Sequence, residues 1–339
     1  MSSTQAPAGH AGHSDRGHPA ALAWDWSAAL VGAVYALPAA VVVLSDRSRG
    51  LALAVGVLPA AIVGLAPTRR GRLRVVVLGV CTGLPMLLGG LLANVPVLAV
   101  AAIGALGFGS VLLARRFAFG LIIMTLSLPM VGVGLSYTDL GKAASLAGLM
   151  VLGSVFACLV SMLWPERAAP SSPASAPGPP GPSLAYGVRL GAAGATAAAI
   201  GFLLDLEHVG WACAATLLVM RPSAEMQRIR SVGRILAVLV GALVGIGLVR
   251  LTPPAFVYSL AAIAAVGGAA ATHQSRWYVT SAFTTFMAFL LLLYSDPHDA
   301  ASRFDERVVE TLLGVGLAYA FGLGLPALTR RRRQPDRPG

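Results

Sequence analysis

The sequence predicts an all-α polytopic membrane protein, with about twelve transmembrane helices arranged as two parallel six-helix repeats. Three observations lead there. The chain is 339 residues, 56% hydrophobic and only 12% charged, with a mean hydropathy of +0.76, too little charge to wet a soluble protein of that size. Apolar runs near the bilayer-spanning length of about 20 residues recur from end to end. The second half, slid back by about 162 residues, sets its apolar runs on those of the first.

Residues 1–26 are polar and small and read as a disordered cytoplasmic tail, without the basic start, apolar core and cleavage site of a signal peptide. His10, His13 and His18 are irregularly spaced there and read as solvated rather than metal-binding. The first repeat, 27–164, has apolar runs near 27–44, 51–67, 74–93, 95–114, 117–135 and 143–164. A linker, 165–185, follows, because PERAAPSSPASAPGPPGPS cannot pack a core. The second repeat, 186–328, has runs near 186–204, 208–220, 232–249, 255–271, 278–294 and 308–326, and 329–339 form a basic cytoplasmic tail. Cys81, Cys158 and Cys213 lie scattered in apolar runs, as packing residues do, with no metal or redox spacing.

Charge sets the orientation. With the N-terminus cytoplasmic and the spans alternating, the inner loops and tails hold 19 of the 25 basic residues and the outer side 6. The positive-inside rule then places both termini in the cytoplasm of a plasma (inner) membrane protein. Asp46, Asp139, Asp205, Glu207, Asp296, Asp299, Asp305, Glu306 and Glu310 fall on the outer side. The net charge of +11 is thus accounted for by topology and membrane lipids, and nucleic acid is not expected as a partner.

Residues 221–234 read as the cytoplasmic loop between the eighth and ninth spans, with Pro222 ending the eighth. Arg228 and Arg230 are expected to meet lipid headgroups. Arg234 is expected to open the ninth helix and to face an inward-open vestibule, because Gly241 and Gly245 follow on its face seven and eleven residues later. Such small-xxx-small pairs let a neighbouring backbone approach closely. Arg72, Gly79 and Gly83 repeat the spacing in the first half, and Arg307, Gly314 and Ala318 repeat it near the end. Glu310 lies one turn after Arg307, so the two can pair, and an acid inside an apolar run is a functional candidate by default.

At these residues the sequence resembles the fusaric acid resistance-like proteins, grouped with aromatic acid exporters. GWACAATLLVMRPSAEMQRIRSVGRILAVLVG places Trp211, Thr216, Pro222, Arg234 and Gly241 on the family pattern, while Ala237 and Val238 stand where Gly-Thr is usual. RWYVTSAFTTFMAFLLLL and RVVETLLG resemble its closing helices, with Tyr278, Arg307, Thr311 and Gly314 matching. The resemblance covers about residues 186–326. It implies inner-membrane efflux of small aromatic or other organic acids, driven by protons.

The expected substrate contacts are therefore Arg234, Trp211, Arg307, Thr311 and Tyr278, since a guanidinium grips a carboxylate through paired hydrogen bonds. Glu310, Glu207, His208 and Asp205 are the candidates for proton coupling. Gly79, Gly83, Gly241, Gly245 and Gly314 are expected at helix crossings. A homo-oligomer is compatible with this reading. The competing reading is a non-transporting scaffold or envelope-assembly partner, which a tightly packed centre would favour and a polar cavity between the halves would oppose. An enzyme is not expected: no metal-ligand, nucleophile or phosphate-loop constellation occurs, His273 and His298 fall on opposite faces, and no cofactor or metal is called for.

Overall fold

The computed structural model describes residues 22–117, 119–167, 181–275, 277–295 and 300–328, and among these it is helical throughout, with no strand. The first half contains α1 (Trp26–Ser45), α2 (Arg47–Val63), α3 (Arg69–Arg72), α4 (Arg74–Leu92), α5 (Pro96–Arg116), α6 (Phe119–Ile122), α7 (Leu128–Gly134) and α8 (Leu140–Met162). The second contains α9 (Leu184–Leu203), α10 (Val209–Val219), α11 (Ala224–Arg250), α12 (Ala255–Ala271), α13 (Trp277–Ser295) and α14 (Ala300–Tyr319). Every expected apolar run is helical. A π turn, Ile123–Ser127, joins α6 to α7, just where Pro129 brings no N–H to the helical ladder.

Among the described residues seven helices are long and apolar enough to cross a membrane, and the chain is a multi-pass membrane protein. Others are shorter. The eleven residues of α10 rise only about 16 Å, against a hydrocarbon core of about 30 Å.

Three expectations change on contact with the structure. The arginine segment is not a loop: Ser223 caps α11, accepting from the Met226 amide at 3.3 Å, and helix runs from Ala224 onward. Arg234 therefore lies in the third turn of α11 and does not open it. The end of the supposed disordered tail is docked, because the Ala23 amide donates to Ser275 Oγ at 2.8 Å and the Asp25 amide to the Ala271 carbonyl at 3.0 Å. Asp25 then caps α1, and the hydroxyl of Ser27 holds its carboxyl below the usual carboxylate range. The start of the linker is tied down as well, with Arg167 donating to the Pro67 carbonyl at 3.1 Å. His10, His13, His18, His298 and the basic tail at 329–339 lie outside the described residues.

The packing does not divide at the linker. α1 lies along α12, and α9 lies along α5, so each half lends its first helix to the fourth of the other. One apolar core joins α1 and α2 to α12 and α13 through Tyr35, Leu51, Tyr258 and Phe289; a second joins α5 and α7 to α9, α10 and α14 through Ile103, Leu128, Leu190, Leu217 and Val315. Glycine makes these crossings possible. A Cβ on Gly107 of α5 would sit 2.6 Å from the Cα of Gly191 on α9, and one on Gly32 of α1 3.0 Å from that of Gly267 on α12.

The five glycines expected at crossings all lie at helix contacts, but the matching pairs have different neighbours. Gly79 and Gly83 abut α8 at Ser154 and Ala147, whereas Gly241 and Gly245 abut α13 at Ala282 and Phe289. Gly314 of α14 meets Ala212 and Ala215 of α10.

Candidate functional site

The site is built where α10, α11 and α14 converge. Trp211 lies in the first turn of α10, while Arg307, Glu310 and Thr311 follow at helical spacing on one face of α14. Gly314, one turn further, lets α14 close on α10, and the hydroxyl of Thr216 seals the contact at 3.1 Å from the Gly314 carbonyl. The Arg307 guanidinium consequently lies flat on the indole of Trp211, its Cζ 3.1 Å from the ring centroid, with Phe289 of α13 on its flank at 5.9 Å. A cation desolvated between aromatic faces is held by their quadrupoles, at about 2 kcal/mol or more.

The in-plane edge of Arg307 meets Glu310, Nη1 to Oε2, at 3.5 Å. Arg307 is 4% exposed and Glu310 1%. The third ionisable group is Arg234 of α11, 7% exposed and close enough for its charge to act on Arg307. Its side chain makes one long hydrogen bond, Nη1 to Ser281 Oγ at 3.4 Å, and its Nε has no partner. Trp211 Nε1 and Glu310 Oε1 are likewise buried without a partner. Arg307 thus pairs with Glu310, Arg234 has no acidic partner among the described residues, and two N–H donors are unmatched. Taking an ion out of water costs several kcal/mol, and such a site favours a further anion.

The sequence-equivalent arginine has a different fate. Arg72, 1% exposed, donates to the carbonyls of Ala66, Ser161, Trp164 and Pro165. Those of Ser161, Trp164 and Pro165 lie in the last turn of α8 and just beyond it, where helical bonding runs out. Arg72 is a helix clamp, whereas Arg234 has no such carbonyls within reach.

The remaining expected residues divide. Thr311 is buried beside Glu310. Tyr278 packs its Cβ against Gly233, next to Arg234, and not in the Arg307 group. His208 meets Glu306, Nδ1 to Oε1, at 3.4 Å, and ligand atoms of Glu207, His208 and Glu306 all lie within 4.8 Å of one another. This set sits one helical turn beyond Glu310 on α14, within electrostatic reach of it. Two carboxylates and an imidazole can relay a proton or ligate a divalent cation. Asp205 is not brought in: it is exposed, with φ of 48° in the α9–α10 turn, a backbone state that Asp tolerates better than most residues.

Sequence reasoning left out three contributors, namely Phe289, Glu306 and Tyr137, whose phenol feels the charge of Arg307. Only Glu306 carried a signal, lying one turn before Glu310 on the same face. Arg234 also differs from its expected place, since the structure encloses it within the bundle and not in an open vestibule.

Apart from Tyr137, the residues gathered around Arg307 fall within one stretch of chain. Residues 196–321 match the family model described as fusaric acid resistance protein-like. That segment is similar to fusaric acid resistance proteins. It supports the family expected from the Trp211, Arg234 and Arg307 motifs, and it contains every helix that lines the site. No curated protein and no solved structure matches the chain.

Proposed function

We propose that this chain is a secondary transporter of the inner membrane that exports small organic acids, aromatic ones included, with Arg234 and Arg307 gripping the substrate carboxylate. One observation carries the reading: buried Arg307 pairs with Glu310, while buried Arg234, whose charge reaches Arg307, has no acidic partner among the described residues. The family match agrees with an efflux role. Further support comes from placement. Arg234 and Phe289 belong to helices of one core and Trp211 and Arg307 to helices of the other, so the site lies on the seam between them. In alternating access the moving bodies are then these two cores. The reciprocal pairing of α1 with α12 and α9 with α5 is what two related repeats would give, and the excess of basic residues on one side favours both termini in the cytoplasm.

Coupling follows from competition for Arg307. A substrate carboxylate must use the same edge of Arg307 that Glu310 holds, which makes this buried acid the coupling group of the proposal. Glu306, His208 and Glu207 provide the route to the surface. Glu310→Gln, which keeps shape but not charge, is expected to retain substrate binding and to lose the response of efflux to a proton gradient. Undiminished gradient dependence in vesicles containing Glu310→Gln would remove Glu310 from the coupling.

The test of the binding role uses accumulation of radiolabelled aromatic acids, at matched membrane expression. Losing a charge-assisted hydrogen bond of about 1.5–3 kcal/mol makes Arg234→Ala bind roughly ten- to hundred-fold more weakly. Arg234→Lys recovers part of this, since it keeps the charge and loses the planar fork. Arg228→Ala, on the exposed face of the same helix, is expected to match the wild type. Should Arg234→Ala behave like Arg228→Ala, capture by Arg234 is wrong.

A further inference from the structure

Positive charge also gathers at the opposite end of α14, around Tyr186. Tyr186 is buried in the first turn of α9, and its hydroxyl donates to the Met220 carbonyl at 3.2 Å. Arg221, the next residue, is 6% exposed and pinned beneath the end of α10, Nη1 donating to Met220 O at 2.6 Å and to Leu217 O at 3.4 Å. Arg189, three residues after Tyr186, is held by the Ala185 carbonyl at 3.1 Å and by that of Gly322 at 3.2 Å, in a π turn, Ala320–Gly324, that continues α14. Arg230 reaches in from α11.

The charges of Arg221, Arg189 and Arg230 all act on the Tyr186 phenol. Burial first, and then the charge of Arg230, push the Arg221 guanidinium down to about 10. The carbonyl bonds stop Arg189 and Arg221 from swinging apart to relieve this crowding, so the cationic pocket is preorganised. Its rim is apolar: Leu184 and Val188 of α9 and Met226 and Ile229 of α11 are exposed on either side. A charged centre with greasy flanks at a helix-bundle end matches a phosphate with acyl chains attached.

We propose that Arg189, Arg221 and Arg230 form a phosphate-binding site, filled in the membrane by the headgroup of an anionic glycerophospholipid. Guanidinium forks suit phosphate oxygens geometrically as well as electrically. This site is separate from the Arg307 site, fifteen residues along the helix from Arg307 to Gly322, or about 22 Å. It stands whether or not the chain transports anions.

The experiment uses the full chain purified in detergent, with bound lipid counted by native mass spectrometry and the melting temperature recorded. The additions are phosphatidylglycerol, phosphatidylcholine or inorganic phosphate. Phosphatidylglycerol is expected to bind and to raise the melting temperature where phosphatidylcholine does not. Arg189→Gln and Arg230→Gln, both only partly buried and each eluting as the wild type, are expected to bind it at least tenfold more weakly. Arg228→Gln, which points away from the cluster two residues before Arg230, is expected to bind normally. Competition by millimolar inorganic phosphate would support the phosphate site and widen its source beyond lipid. Equal binding of the two lipids, or equal loss in Arg189→Gln and Arg228→Gln, would overturn the proposal.

Discussion

Arg307→Ala is expected to abolish efflux and to cost the fold about 3–5 kcal/mol, the usual penalty for stripping one partner from a buried ion pair. The loss falls mainly on Glu310, which is 1% exposed and already has one carboxylate oxygen without a partner. Trp211 loses the cation on its face as well. The double variant Arg307→Ala/Glu310→Ala removes both charges and is expected to recover most of the stability, because no carboxylate is left stripped of its partner and the charge that opposes Arg234 is gone as well. It is expected to recover none of the efflux. Melting of the purified protein, beside accumulation of a labelled aromatic acid, separates these effects. A single variant that melts like the wild type would show that Arg307 and Glu310 are not the buried pair described, and one that still exports would remove Arg307 from substrate binding.

The largest purely structural effect is expected at the α5–α9 crossing. Gly107→Leu places a Cβ 2.6 Å from the Cα and 3.0 Å from the amide nitrogen of Gly191. These are backbone atoms, so no side chain can swing aside and the helices must separate along the seam that links the halves. The cost is about 3 kcal/mol, the upper part of the range for overpacking. Gly109→Leu, two residues on, is the matched control: nothing lies within 4 Å of its Cβ position. It faces the apolar groove of about 550 Å³ between α4 and α5 and is expected to be neutral, or stabilising by the roughly 1 kcal/mol that separates glycine from better helix formers. Equal yield and melting temperature for the two variants would mean that α5 and α9 do not cross where described.

Much of the architecture was legible without coordinates. A helix that crosses a bilayer must satisfy its own backbone and present apolar side chains, and both requirements are written locally. Hence the apolar runs appear as helices, and the glycine pairs at Gly79, Gly241 and Gly314 appear at crossings. Boundaries were read less well wherever polar residues continue a helix. Ser223 and Glu225 begin α11 with ordinary capping chemistry, which hydropathy does not register.

The sequence by itself determined the class, the helical segments and the family resemblance, and it singled out Arg234, Arg307, Glu310 and Trp211 as candidates, because composition and short-range spacing suffice for these. Only the tertiary structure decided which helices touch, since small-residue faces are alike enough that α1 has no local mark directing it to α12 instead of a helix of its own half. Only the tertiary structure separated Arg72 from Arg234, two arginines with the same glycines at the same spacing. Arg72 meets carbonyls at the end of α8 and just beyond it, about ninety residues away in sequence, whereas Arg234 lies within electrostatic reach of a second arginine. A buried charge takes its role from the groups that fold around it, and those groups come from elsewhere in the chain.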